Sequence, residues 1–333
     1  MSLYLTPQGT SMTHNMTSVE VCAGAGGQAL GLEKAGFSHE ACVEIEEVCC
    51  ETLRTNRPEW SVFQEDLNSF DGGPYKGVDL FAGGLPCPPF SIAGKQLGAN
   101  DERNLFPAAI RLIGEIKPQA VMIENVKGIM SPAFDEYREE MARQFDKLGY
   151  EIRPKILNAS SFGVSQLRPR VMFVALKHSI KDSFNWPSEI AECPPTVGEK
   201  LFDLMAERGW KGALAWRNKA NGIAPTLVGG SKKHGGPDLG PTRAKRAWAE
   251  LGVDGMGIAN EAPERDFEGN PRLTVRMCAR LQGFDDEWQF SGRKTAAYRQ
   301  VGNAFPPPVA AAVAREVAIA LSTRKLVPIK TVA

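Results

Sequence analysis

The chain of 333 residues is 43% hydrophobic and carries 39 lysines and arginines against 39 aspartates and glutamates. That length and composition suit a soluble globular enzyme of about two domains. Zero net charge argues against a protein that coats nucleic acid, while leaving room for a local basic face. No run of about 18 apolar residues and no charged-then-apolar leader occurs, so no membrane is expected and the location reads as cytoplasmic.

The opening MSLYLTPQGTSMTHNMT (1–17) is polar and mixed and reads as a disordered tail. Strand-like apolar runs then alternate with helix-period segments. SVEVCA (18–23) precedes GGQALGLEKAGF, EACVEI (40–45) precedes a helical EEVCCETLRTN, and a short third strand ends near QEDLNSF. VDLFA (78–82) leads into a proline loop, after which 101–116 reads as a helix. Asp101 is its expected N-cap, and Leu105, Ala109, Leu112 and Ile116 form its apolar stripe. QAVMIEN (119–125) is a buried strand, and Phe134, Tyr137, Met141, Phe145 and Leu148 mark an amphipathic helix. EIRPKILNA and RVMFVAL add two more strands. This alternation predicts an α/β fold whose mainly parallel sheet carries helices on both faces. From about His178 the periodicity fades into a loop-rich excursion. It returns at Val309, Val313, Val317 and Leu321, a final helix expected to pack back on the first domain.

Several short stretches carry chemistry. In GGLPCPPFS (83–91), Pro86, Pro88 and Pro89 each fix φ and bias their predecessors towards extended geometry. Cys87 is thus held on a stiff turn after a strand, where open α/β sheets bind ligands; a plain proline-rich loop is the alternative. CAGAGG (22–27) between strand and helix suits a nucleotide-binding turn, though its glycines do not make G-x-G-x-x-G. Glu44, about 20 residues on at the next strand end, can accept from both ribose hydroxyls. Asp66, near the end of the third strand, can meet an adenine amino group. In MIENV (122–126), Glu124 closes an apolar run, which suggests partial burial and a raised pKa. In QLRPR (166–170), Arg168 and Arg170 fall on one side of an extended segment, suited to a phosphate or a base carbonyl. Seven cysteines without C-x-x-C and four scattered histidines support neither a disulfide framework nor a metal site.

CAGAGG, PCPPFS, ENV, QLRPR, RLTVRMCARLQGF (272–284) and YRQVGNAFPPPV (298–309) resemble, in order and spacing, the motifs of DNA cytosine-5 methyltransferases of the bacterial restriction–modification type. The resemblance spans Val19 to about Leu321. It implies a Rossmann-like, S-adenosylmethionine-dependent methyltransferase fold with a mixed sheet and a smaller loop-rich target-recognition domain. The implied division is a catalytic and cofactor-binding domain at 18–182, target recognition at 183–294, and a segment 295–333 returning to the catalytic domain.

The resemblance also implies roles. Cys87 would be the nucleophile, Glu124 would hold the pyrimidine N3 and amino edge, Arg170 would reach the base carbonyl with Arg168 near it or the backbone, and Asn125 would brace the loop. The cofactor, S-adenosylmethionine, would be held by Ala23, Gly24, Ala25, Gly26 and Gly27, by Glu44 and Ile45, by Asp66 and Leu67, and by Pro86, Asn303 and Ala304. Double-stranded DNA would meet Ser91, Gln166, Thr226, Leu227, Lys232, Lys233 and Arg243, the basic SKKHGG and PTRAKR stretches being expected as loops. From 207 to 250 there are nine Lys/Arg against three Asp/Glu. A monomer is expected, with any cognate restriction endonuclease acting separately. Three departures stand out: Cys22 in place of an adenine-facing phenylalanine, Glu20 in place of aspartate, and Met277 in place of the glutamate that would pair with Arg276. The basic excursion disfavours a transfer-RNA methyltransferase, the intact Cys87, Glu124 and QLRPR disfavour a silent binding module, and the incomplete glycine motif disfavours a dinucleotide oxidoreductase.

Overall fold

The computed structural model describes residues 16–86, 104–229 and 237–323. Among these, seven strands form one sheet in the order β3 (Val62–Gln64), β2 (Phe37–Glu44), β1 (Met16–Val21), β4 (Leu80–Gly84), β5 (Ala120–Val126), β7 (Pro169–Lys177), β6 (Tyr150–Asn158). The first five run parallel, while β7 is antiparallel to both of its neighbours. The order reverses beside β1, so the carboxyl ends of β1 and β4 open a crevice of the kind in which α/β sheets bind ligands.

Side chains alternate across the sheet with period two. Val19, Val21, Phe81, Val121, Ile123 and Phe173 pack under α3 (Phe106–Ile116) and α4 (Asp135–Lys147). Leu80, Ala82, Met122, Met172 and Val174 face the opposite way, against α10 (Pro307–Thr323). There α1 (Gly27–Lys34) lies directly on α10: a Cβ built at Gly31 would come within 2.4 Å of the Ala310 Cβ. The stretch Lys294–Thr323 is long and apolar enough to cross a membrane by composition, yet 67% of its most apolar window is buried inside the fold. The final helix, buried along its Val309, Val313, Val317 and Leu321 stripe, packs on the sheet.

Between the two halves of that fold lie α5 (Val197–Ala206), α6 (Ala213–Lys219), α7 (Thr242–Glu250) and α8 (Val275–Gln282), followed by α9 (Lys294–Asn303). Their core, built on Leu201, Trp216, Trp248, Leu281 and Tyr298, is continuous with Leu30 of α1, Leu53 of α2 (Glu47–Asn56) and Trp60 of the sheet half.

Local expectations shift in four places. Strand β1 starts at Met16, inside the stretch expected as a tail, because it pairs with β2 there and the Thr17 N–H donates to Asp79 Oδ2 at 3.0 Å; residues 1–15 lie outside the described residues. Helix α3 starts at Phe106, whose N–H is accepted by Asn104 Oδ1 at 3.3 Å, while Asp101 lies outside the described residues. PTRAKR, expected as a loop, opens helix α7, which Trp248 anchors in the core. Arg276 keeps partners despite Met277: it pairs with Glu207 at 3.5 Å and Asp286 at 3.7 Å. Met277 itself is buried, and its sulfur accepts the Thr274 N–H at the start of α8.

Candidate functional site

The chain leaves β1 in a tight left-handed path, with φ of 50° at Cys22, 54° at Gly24 and 83° at Gly26. Only glycine adopts such angles without strain, and it leaves the backbone N–H groups accessible. A Cβ at Gly24 would meet no atom within 4 Å and would project into open space, whereas one at Gly26 would strike Trp288 at 2.8 Å. Trp288 closes the turn from beneath, its indole N–H donating to the Ala25 carbonyl at 3.1 Å. Glu44 stands at the end of β2 and is nearly buried. Its Oε2 accepts the Gly24 N–H at 2.7 Å and its Oε1 the Glu46 N–H at 2.8 Å. Each carboxylate oxygen has capacity for a second bond. Burial, helped by the carboxylates of Glu44 and Asp66, pushes the Cys22 thiol up to about 12, so it stays protonated at neutral pH.

Three adjoining hollows follow the strand ends. One of about 300 Å³ is lined by Cys22 to Ala25, Gly27, Glu44, Glu124, Asn303 and Ala304. A second, about 480 Å³, takes in Cys22, Glu44, Ile45, Asp66, Leu67 and Pro86. A third, about 460 Å³, is bounded by Pro86, Glu124, Asn125, Arg170, Leu227 and Asn303. Shared walls make them one groove: Cys22 and Glu44 join the first to the second, while Glu124 and Asn303 join the first to the third.

Glu124 sits at the last turn of β5, paired through its Oε1 with Arg170 Nε at 2.9 Å. Burial pushes its carboxyl above the usual range, and Arg170 and Arg168 oppose that shift. Such a carboxyl can hold a proton or give one. Asn125, also buried, donates to the Leu85 carbonyl at 3.2 Å and so braces the approach to Pro86 and the proline segment.

The two arginines of QLRPR separate. Arg170 borders the groove, but Arg168 is 1% exposed and its guanidinium is spent on main-chain carbonyls. It donates to Leu227 at 2.6 Å, Gly302 at 2.8 Å and Ala304 at 2.9 Å. The expectation that both present their heads to a substrate therefore fails for Arg168, because extended-strand periodicity sets a side and not what covers it. Gln166 and Leu227, expected at DNA, are likewise fully buried. Gln166 donates to Gln282 Oε1 and its Oε1 accepts the Leu227 N–H at 2.8 Å. Thr226 ties back through its hydroxyl to the Leu167 carbonyl at 2.6 Å. Together these residues lock the β7 entry, the 224–229 strand-like stretch and the α9–α10 junction into one frame. Arg243 lies exposed on α7. Cys87, Ser91, Lys232 and Lys233 lie outside the described residues. Sequence reasoning passed over Gln28, Trp288 and Arg299. Gln28 follows the glycine turn, and Trp288 stands alone in a charged stretch, the one signal that marked it.

The fold is that of the Rossmann-like S-adenosylmethionine-dependent methyltransferases. It superposes on Dnmt2 methyltransferase of S. pombe with a TM-score of 0.62 at 17% identity, covering 93% of this chain and 100% of that one. A candidate DNA modification methyltransferase encoded within an E. coli prophage gives a TM-score of 0.66 at 24% identity over 92% and 99%. Residues 16–318 match the family of C-5 cytosine-specific DNA methylases, and the chain belongs to it. It is 57% identical over 308 residues to the type II methyltransferase M.NgoMIV of Neisseria gonorrhoeae, covering 92% of this chain and 98% of that protein. To M.NaeI of Lentzea aerocolonigenes it is 54% identical, over 91% and 75%. The protein is thus a cytosine-5 DNA methyltransferase.

Proposed function

We propose that the enzyme methylates carbon 5 of a cytosine flipped out of a specific double-stranded DNA sequence, through a covalent bond between Cys87 and carbon 6, with S-adenosylmethionine as donor. The observation that carries this reading is the continuous groove running from Glu44 to the Glu124–Arg170 pair, with Pro86 on its wall one residue before Cys87. The residues fit the cofactor. Glu44 keeps acceptor capacity at the strand end, Gly24 leaves the space that a side chain would fill, and buried polar atoms of Glu20 and Gln28 on the same wall have no partner among the described residues. Ala23 to Gly27, Glu44, Ile45, Asp66, Leu67, Pro86, Asn303 and Ala304 would hold it. When bound, it supplies an electrophilic methyl group.

The remaining work belongs to the chain. Cytosine carbon 5 is a poor nucleophile until a thiolate adds at carbon 6, and Cys87 provides that thiolate. Glu124, whose carboxyl burial pushes upward against the pull of Arg170, donates towards N3 and stabilises the charge that develops on addition. Arg170 aligns the Glu124 carboxyl and the base carbonyl; Arg168 acts behind them by fixing the frame. Once carbon 5 carries the methyl group, its proton passes to solvent and the freed electron pair restores the ring and expels the Cys87 thiolate. A base inside a duplex cannot reach this groove, so it must be everted. Arg243 on its exposed helix, with Lys232, Lys233, Ser91 and Thr226, would face phosphates and base edges. Gln166 and Leu227 would support that surface from below. The type II relatives favour a restriction–modification role; the enzyme would act in the cytoplasm, as a monomer beside a separate endonuclease.

The test is methyl transfer from labelled cofactor to panels of DNA and transfer RNA, with bisulfite mapping of the product. Cys87→Ser should abolish turnover while still binding cofactor, and only the wild type should trap DNA carrying 5-fluorocytosine at the target. Turnover by Cys87→Ser at the wild-type rate would reject the covalent route.

A further inference from the structure

The first hollow has an end that the adenosine and cytosine assignments leave unexplained. Gln28, on the first turn of α1, is 4% exposed, and both its amide nitrogen and its amide oxygen lack a hydrogen-bond partner among the described residues. Orphaned buried amides are rare, since each unpaired atom forfeits the bonds it had with water. A leucine or methionine of similar volume would fill this position at less cost. Beside it on the same wall, Glu20 is 1% exposed with its Oε2 unpartnered, although its carboxyl already accepts the Ala29 N–H. Arg299 of α9 reaches the same hollow, and its buried Nε has no partner among the described residues.

These groups have the complement of an α-amino acid. A carboxamide both donates and accepts, a carboxylate oxygen accepts, and a guanidinium donates to carboxylate. The wall is otherwise acidic, with Glu20, Glu44, Glu46 and Glu124. Among the described residues lining this hollow, Arg299 is the one cation. That balance suits a ligand carrying two positive centres and one carboxylate.

We propose that Gln28 and Arg299 are the residues by which this enzyme reads the amino-acid end of its donor, with Glu20 accepting from the ammonium. Gln28 would donate its amide N–H to the carboxylate and accept from the ammonium, and Arg299 would donate to the carboxylate. The inference rests on the cofactor assignment above and deepens it. It also carries a cost that can be measured: the orphaned amide weakens the ligand-free fold in return for discrimination. Donor analogues that lack the amino acid should gain nothing from Gln28.

The experiment is calorimetric titration of the full-length protein with S-adenosylhomocysteine and with 5′-methylthioadenosine, which lacks the amino-acid end. Gln28→Met should lose about 10- to 100-fold in affinity for the first, the size expected for hydrogen bonds to charged groups. It should stay within about twofold of wild type for the second, and its ligand-free melting temperature should rise by about 2 °C. Arg299→Met, a second variant on a different helix, should show the same selective loss. Equal losses for both ligands, or an unchanged affinity for S-adenosylhomocysteine, would overturn the proposal. If the wild type binds neither ligand, the cofactor assignment itself fails, and this inference with it.

Discussion

Arg168→Met removes the guanidinium that joins three segments distant in the chain. Arg168 is 1% exposed, so its three bonds to the Leu227, Gly302 and Ala304 carbonyls, at 2.6, 2.8 and 2.9 Å, are not screened by solvent. A hydrogen bond to a charged group contributes about 1.5–3 kcal/mol. Three do not add, because the freed carbonyls can partly recover water and removing the charge relieves the desolvation of burying it. The net loss should be about 4 kcal/mol, visible in urea unfolding as a lower midpoint with an unchanged slope. In a chain of this size it should lower the melting temperature by about 8 °C. Arg168→Lys should recover only part of this, since an ammonium cannot span three carbonyls with the same fork. Burial beside Arg170 lowers the Arg168 pKa to about 9, which leaves it charged at neutral pH. A loss under 1 kcal/mol for Arg168→Met would refute the view that this side chain is a structural clasp.

Gly31→Ala should be destabilising by about 2 kcal/mol even though alanine favours helices, because its Cβ would stand 2.7 Å from the Pro307 carbonyl and 2.9 Å from the Ala311 nitrogen; thermal unfolding reads it directly. Glu20 is raised well above the ordinary carboxyl range, first by burial and last by Glu44. A raised acid binds more protons folded than unfolded, so its contribution is fully present below the unfolded value and is lost as pH rises through the folded one. Glu20→Gln should therefore be more stable than wild type near pH 8 and approach it near pH 5, in unfolding series run at both. Asp66→Ala should weaken S-adenosylhomocysteine binding by about tenfold, if one hydrogen bond is lost, and leave DNA affinity unchanged by fluorescence anisotropy. An equal loss of both would contradict a cofactor role.

The strands were legible because buried strands announce themselves as apolar runs ending at Gly, Pro or an acid, as at Val78 to Ala82 and Ala120 to Ile123. Glu44 and Glu124 were legible for the same reason: each is the first charge after such a run, so each had to stand where its strand opens. Helix α7 was not, since its core anchor, Trp248, is its single fully buried residue and its basic face looks like a loop. Local pattern, turn chemistry and motif order are properties of neighbours along the chain, and from them the mainly parallel sheet, the glycine turn and the family all follow. Burial and pairing are properties of what arrives from elsewhere. Only the tertiary structure could turn Arg168 into a clasp and leave Arg170 on Glu124, give Arg276 two new partners in place of its missing neighbour, and bury the Gln28 amide without a partner among the described residues. In each case the deciding atoms come from segments remote in sequence, whose approach no local periodicity encodes.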